Sequence, residues 1–175
     1  NKKAQDKMKE YCHVGKNEGA KLLLGGQAPE NGKGWYFEPT LFTDCTPEMR
    51  ICQEEIFGPI VSMISAKNLE DAIAIANSVD YGLSSAIYTR SIGNALTAIK
   101  KLQAGITYVN RPPVGSESHL PFGGVKSSGS NRESGPEGTN EFTELKTVYI
   151  DYSRPQPILN TSQDMQKQKT TYGTP

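Results

Sequence analysis

The sequence predicts an α/β fold: a parallel-type sheet with flanking helices. Strand-like and helix-like stretches alternate over residues 59–109 in the order strand, helix, strand, helix, strand. Alternation of that kind favours right-handed crossovers between parallel strands. Both helical stretches carry an apolar stripe at helical spacing. The chain has 175 residues, enough for one domain with a substantial core.

Residues 3–17 place Ala4, Met8, Tyr11, Cys12 and Gly15 on one side at helical spacing, with lysines on the other, and Gly19 ends the helix. Residues 21–24 form a short apolar strand closed by Gly25-Gly26, and a polar, Gly-rich loop fills 27–34. Residues 35–42 read as extended, and Pro39 argues for an edge or irregular position there. Residues 59–66 read as a buried strand. Asn68 caps the helix that follows, with Asp71 in its first turn, where the helix dipole favours an acid. Its stripe is Leu69, Ala72, Ile73, Ala76 and Val79, and Tyr81-Gly82 stops it. Residues 83–88 give the next strand. Ile92, Ala95, Leu96, Ile99 and Leu102 mark the buried side of a second helix, and Gly105 leads into a strand over 106–109.

Residues 110–131 form a long loop rich in proline and glycine, of a length that compact domains keep for function or leave disordered. Residues 133–140 suit a short helix. Residues 142–152 carry a strand signal in Thr143, Leu145, Thr147, Val148, Tyr149 and Ile150. The C-terminal stretch is polar and rich in Gln and Thr, the composition of a disordered tail.

Basic and acidic residues balance at 19 each, so the formal net charge is zero. This leaves no electrostatic footprint for nucleic acid or for an anionic membrane. No apolar run approaches the roughly 20 residues of a membrane span. The first residues lack the apolar core of a signal peptide. Three cysteines without framework spacing argue against a secreted disulfide scaffold, and a reducing cytoplasm is the expected compartment. No Cys/His spacing suggests zinc, so no metal site is expected.

Two stretches can carry chemistry. In Glu54-Glu55-Ile56-Phe57-Gly58-Pro59 the Gly-Pro step fixes a turn ahead of an apolar strand. Two acids and an aromatic on such a turn can hold a polar sugar and a flat ring. The alternative is an ordinary surface turn with Phe57 tucked into the core. In the loop from Asn110, prolines restrict the backbone and glycines allow close approach. Arg111 suits a bidentate clamp on a substrate carboxylate, or else a structural salt bridge. His119 suits a loop hydrogen bond better than a general base. Gly123-Gly124-Val125-Lys126 lacks the adjacent Gly-Lys of a phosphate loop. Cys52 stands near Glu54 and Glu55, whose charge disfavours a thiolate, so it reads as an unreactive thiol.

Gln53-Glu54-Glu55-Ile56-Phe57-Gly58-Pro59 and Leu120-Pro121-Phe122-Gly123-Gly124-Val125-Lys126-Ser127-Ser128-Gly129, in this order and spacing, resemble the C-terminal part of the NAD(P)-dependent aldehyde dehydrogenase superfamily. Further landmarks in register are Gly25-Gly26, Phe37-Glu38-Pro39-Thr40, Tyr81-Gly82-Leu83, Val109-Asn110 and Glu144-Leu145-Lys146-Thr147, and the resemblance covers residues 1–152. Asn131 departs from it, standing where the family usually has glycine.

The resemblance implies roles for particular residues. Glu55 would bond the hydroxyls of the nicotinamide ribose of NAD or NADP, and Phe57 would flank the nicotinamide ring. Asn110 would stand at the strand end beside the aldehyde pocket, Arg111 at a variable substrate position, and Phe122 against the substrate. Arg132 and Glu133 would brace loops. The family's nucleophilic cysteine and general-base glutamate lie upstream, so the chain is expected to hold no catalytic residue and to be inactive alone. Residues 1–131 would be part of the catalytic domain, 132–152 an oligomerisation segment and 153–175 a disordered polar tail. The strand at 144–152 would pair with a neighbouring subunit, making a homo-oligomer, a dimer or tetramer. Residues 110–124 are most similar to members acting on short acid semialdehydes such as 2-oxoglutarate semialdehyde. The competing reading is a separate, non-catalytic structural or oligomerisation module of the same fold.

Overall fold

The structure is a computed structural model, and it describes residues 1–30 and 32–152. The chain divides into two units, residues 1–143 and residues 144–175. The tail expected at 153–175 lies outside the described residues.

The first unit opens with helix α1 (Lys2–Asn17), whose buried residues Gln5, Met8, Cys12 and Gly15 recur at helical spacing. Strands β1 (Lys21–Leu24), β2 (Thr40–Cys45) and β3 (Ile60–Ile64) form one sheet in the order β1-β2-β3. The β1–β2 pair is antiparallel and the β2–β3 pair parallel. The short helix α2 (Arg50–Gln53) lies between β2 and β3 in the chain. Phe42, at 0% exposure, is the centre of a core built from Met8, Cys12, Cys45, Ile51 and Ile56. Pro39 had suggested an edge position for the extended stretch before Phe42. The strand instead starts after it, at Thr40, and is the central one of its sheet, because the ladder needs only donors from Thr40 onward.

Helix α3 (Leu69–Asn77) begins as the sequence predicts. The Asn68 side chain accepts from the Asp71 amide at 2.9 Å, and the Asp71 carboxylate accepts from the Lys67 amide at 2.8 Å. Strand β5 (Ser84–Ile87), helix α4 (Ile92–Lys101) and strand β6 (Ile106–Val109) make a βαβ unit with parallel strands paired from Ser84↔Ile106 to Ile87↔Val109. β4 (Tyr81–Gly82) pairs antiparallel with β7 (Val125–Lys126), and α5 (Gly135–Asn140) closes the unit. The alternation over 59–109 predicted one sheet. Among the described residues β3 and the β5–β6 pair belong to separate sheets, because alternation fixes the order of the strands but not which of them share a ladder. The parallel pairs are present; the ladder joining them is not.

The expected domain boundary at 131/132 falls inside the first unit. Phe122 and Glu133 exchange both backbone hydrogen bonds at 2.6 Å, and the Arg132 guanidinium donates to the Gly124 carbonyl at 2.7 Å. In the second unit, described to Tyr152, residues 144–152 form no helix or strand. The strand predicted over 142–152 is therefore not made in the single chain. A strand is completed by a ladder partner, and no strand among the described residues pairs with this stretch. Their apolar side chains are exposed, Tyr149 at 94%. No helix among the described residues is long and apolar enough to cross a membrane.

Candidate functional site

The turn between α2 and β3 holds the first two predicted residues, and their surroundings answer the question the sequence left open. Phe57 is not tucked into the core: it is 84% exposed. Its backbone sits at φ 60°, a left-handed conformation that bulky residues rarely adopt. Such strain costs about 1–3 kcal/mol and persists only where the surroundings impose it. Glu55 beside it is exposed, and among the described residues its carboxylate has no hydrogen-bond or ion-pair partner. Both residues line a hollow of about 570 Å³ with Cys52, Ile56, Gly58 and Ser62.

Helix α1 fixes this turn from behind. The Lys7 ammonium donates to the Glu55 carbonyl at 3.0 Å and lies 5.6 Å from the centre of the Tyr11 ring. The Tyr11 hydroxyl donates to Glu54 Oε2 at 2.8 Å. Arg50 grips the same carboxylate with two bonds, 2.8 Å from Nε and 3.0 Å from Nη2. The Arg50 guanidinium and then the Tyr11 hydroxyl hold the Glu54 carboxyl below the usual range. That same bond to Glu54, with burial, raises the Tyr11 phenol. The sequence reading saw Glu54 as one of two acids on the turn and Tyr11 as part of a helix face, but it linked neither to the other, nor Lys7 to the turn. The available signal was the i,i+4 spacing of Lys7 and Tyr11 and of Arg50 and Glu54.

Cys52 shares the wall of the hollow and is unsuited to attack. Burial, its largest influence, pushes the thiol up to about 11, with the Cys45 thiol and Glu18 adding to it and the Ser62 hydroxyl opposing. The direction is the one read from the sequence, but the leading cause is desolvation, with Glu54 and Glu55 not among the main contributors. Burial also raises the Cys12 thiol. All three cysteines are free.

Glu55 faces a second hollow, about 650 Å³, shared with Leu83, Ser84, Ser127 and Ser128. Phe122, half-buried, lines a third of about 460 Å³, and Leu83 and Ser128 border both. The structure thus brings Phe122 to the hollow next to that of Glu55, with Leu83 and Ser128 between. Backbone contact holds this arrangement. A Cβ on Gly105 would collide with the Gly123 carbonyl oxygen, so the Phe122-Gly123 strap lies directly on the chain entering β6. Lys126 takes no part in binding a phosphate here. Its ammonium donates to the Asn77 and Val79 carbonyls at 2.7 and 2.9 Å, closing the C-terminal end of α3.

Asn110 and Arg111 stand at the other end of β6, a strand length of about 13 Å from the Gly105 end. The Asn110 amide is engaged. Its oxygen accepts from the Thr89 amide at 2.9 Å and its nitrogen donates to the Thr89 carbonyl at 3.0 Å. The side chain so clasps the ends of β5 and β6, with its backbone at φ 55°. Arg111 is exposed, and the structural ion pair weighed for it is not formed with any of the described residues.

The outward Glu55 and Phe57, the adjoining Phe122 hollow and the glycine contacts all fall within one stretch of similarity to known proteins. A model of the aldehyde dehydrogenase family matches residues 1–148. Over 144 residues the chain is 45% identical to the alpha-ketoglutaric semialdehyde dehydrogenase of Bacillus subtilis (strain 168), an overlap of 80% of this chain and 30% of that protein. Over 153 residues it is 45% identical to human aldehyde dehydrogenase 1A1, covering 87% of this chain and 30% of that one. The crystal structure of an NAD-dependent aldehyde dehydrogenase from Sinorhizobium meliloti superposes with a TM-score of 0.86 at 36% identity, covering 91% of this chain and 32% of that chain. The chain spans about 30% of the length of the curated relatives it matches. With the family's model matched over 148 of its 175 residues, the chain belongs to the aldehyde dehydrogenase family.

Proposed function

We propose that this chain supplies the nicotinamide-ribose and aldehyde-facing walls of an enzyme that oxidises an aldehyde to a carboxylate with NAD(P)+. One observation carries the reading: Phe57 is held outward in a strained backbone beside a carboxylate, Glu55, that has no hydrogen-bond or ion-pair partner among the described residues. The donor set fits the group. A carboxylate accepts from two vicinal hydroxyls, as a ribose offers, and an exposed aromatic face packs on a flat ring. Bound NAD(P)+ would supply the hydride acceptor. Glu55 orients its ribose, Phe57 limits the tilt of its ring and Phe122 excludes water on the aldehyde side, so the chain's contribution is positioning. Asn110 acts through the β5–β6 clasp that sets the loop carrying Arg111. The unpaired Arg111 suits the far carboxylate of an acid semialdehyde.

The nucleophile and general base belong to the larger enzyme, and the isolated chain is inactive. The exposed apolar side chains of 142–150 favour pairing with another subunit in a homo-oligomer. Three free thiols fit a reducing cytoplasm. The same exposed segment is what a non-catalytic assembly module would use, so the two readings need separating.

The test is NAD(P)H formation by the purified chain with a panel of semialdehydes, beside saturation transfer from the protein to the nicotinamide protons of NAD+. We expect no turnover, and transfer that Glu55→Ala reduces several-fold. Turnover that Cys52→Ala abolishes would overturn the assignment of the nucleophile. Transfer unchanged by Glu55→Ala and Phe57→Ala would favour the assembly module.

A further inference from the structure

We propose that Glu54, Tyr11 and Arg50 form a brace between α1 and the turn at 54–58, and that this brace sets the direction in which Glu55 and Phe57 face. The inference rests on the cofactor reading of Glu55 and Phe57, and it gives positioning roles to residues outside that reading.

The turn alternates between held and presented residues. Glu54 is held by three hydrogen bonds, one from the Tyr11 hydroxyl and two from Arg50. Ile56 is buried in the core at 8% exposure. Gly58 packs against α1 so closely that a Cβ there would overlap the Met8 sulfur. Glu55 and Phe57 lie between these anchors and point away from them, while Lys7 ties the Glu55 carbonyl to the same helix. Phe57 is kept at φ 60° because both its neighbours are fixed. Arg50 is itself located by α1, since its amide donates to Glu18 Oε1 at 2.9 Å. The bidentate, shared geometry makes Glu54 the hub, which a lone surface ion pair would not be.

Arg50 on α2 and Tyr11 and Lys7 on α1 act on Glu54 directly, Glu10 acts on Tyr11, Glu18 at the end of α1 acts on Arg50, and Glu55 follows Glu54 in the turn. Arg50 and Tyr11 lower the Glu54 carboxyl from its ordinary 4.5. A lowered carboxylate contributes above its ordinary range, and the contribution is lost as pH falls through the folded value. The brace therefore holds at neutral pH and releases in acid.

The experiment labels the chain with 4-fluorophenylalanine and follows the Phe57 fluorine resonance, assigned with Phe57→Leu, with that of Phe42 as a report on the core. No cofactor is added. Tyr11→Phe keeps the ring and removes the hydroxyl. We expect the Phe57 signal to move toward the free amino acid's position in Tyr11→Phe, further in Glu54→Ala and less in Glu54→Gln, with the Phe42 signal fixed. In the parent chain the Phe57 signal should move as pH falls below about 4.5, and in Glu54→Ala that movement should vanish. A Phe57 signal unchanged in both Tyr11→Phe and Glu54→Ala, with Phe42 in place, would overturn the brace. NAD+ saturation transfer that survives Glu55→Ala would overturn the cofactor reading instead and leave the brace standing.

Discussion

At Cys52 a thiol beside the candidate cofactor turn is kept out of reaction by its surroundings. Its pKa is about 11 against an ordinary 9.0, so the protonated form is favoured in the fold. The stabilisation this linkage gives is complete below pH 9 and disappears as pH rises toward 11. Alkylation of Cys52 by iodoacetamide, read by peptide mass spectrometry, should be slow at pH 7 and rise about tenfold per pH unit beyond pH 9, following the thiolate. A rate already level by pH 9 would contradict this. Legibility at this scale follows range. Glu55 and Phe57 stand close together within seven consecutive residues on the turn that Gly58-Pro59 fixes, but the residues alone left open whether Phe57 faces out or into the core. The clasp of Asn110 on Thr89 is not visible in the sequence, since it depends on the register between β5 and β6. The hold of Tyr11 on Glu54 spans 43 positions and exists only once α1 packs on the turn.

The longer helices were readable from the sequence because their signals are local, whereas the four-residue α2 was not predicted. Asn68 and Asp71 mark the start of α3 within four residues, and the stripe of α4 needs only its own turns. Strand partners were less readable, because pairing is decided by distant chain. The pair β4–β7 is two residues long on each side and joins positions 81–82 to 125–126, too short for a period of two to register. Residues 142–152 have the composition of a strand but belong to no sheet among the described residues, which separates propensity from structure. The contact of Gly105 with the Gly123 strap is the element-scale feature most exposed to mutation. Gly105→Ala must displace backbone rather than a flexible side chain, and should cost roughly 3 kcal/mol in urea unfolding. Gly93→Ala in α4 meets only a loose contact with Ser91 and should be neutral or stabilising by up to about 1 kcal/mol. Equal effects at the two sites would show that the strap yields.

Across the first unit, apolar side chains remain in the open where a larger protein would cover them. Ile92, Leu96 and Ile99, read from the sequence as the buried side of α4, are exposed, Ile92 at 75%, and only Ala95 and Ala98 of that helix are buried; Val61 and Met63 likewise stand out from β3, which had read as a buried strand. A monomer rarely leaves such surface uncovered, which accords with a chain matching about 30% of its relatives' length. The expected signature is strong fluorescence of an apolar-surface dye with the isolated chain. The double substitution Ile92→Lys, Leu96→Glu should lower it at least twofold, with the thermal midpoint moving little, as surface changes stay within about 0.5 kcal/mol. Unchanged fluorescence would mean that the dye binds elsewhere. The α/β class was legible at this scale from the order of elements. The division into separate sheets was not, because alternation tells how strands follow one another but not whether a ladder joins β3 to β5.

The alternation at 54–58 also bears on how such a site can change over generations. The side chains of Glu54 and Ile56, the close packing at Gly58 and the backbone carbonyl of Glu55 attach the turn to the body of the protein, while the side chains of Glu55 and Phe57 face outward. A change of ligand would then call for substitution at two outward positions, leaving the three attached ones in place. Loss of Glu54 would leave Tyr11 and Arg50 without their shared acceptor, so on the proposed brace these three residues are expected to change as a set, although 43 positions separate Tyr11 from Glu54.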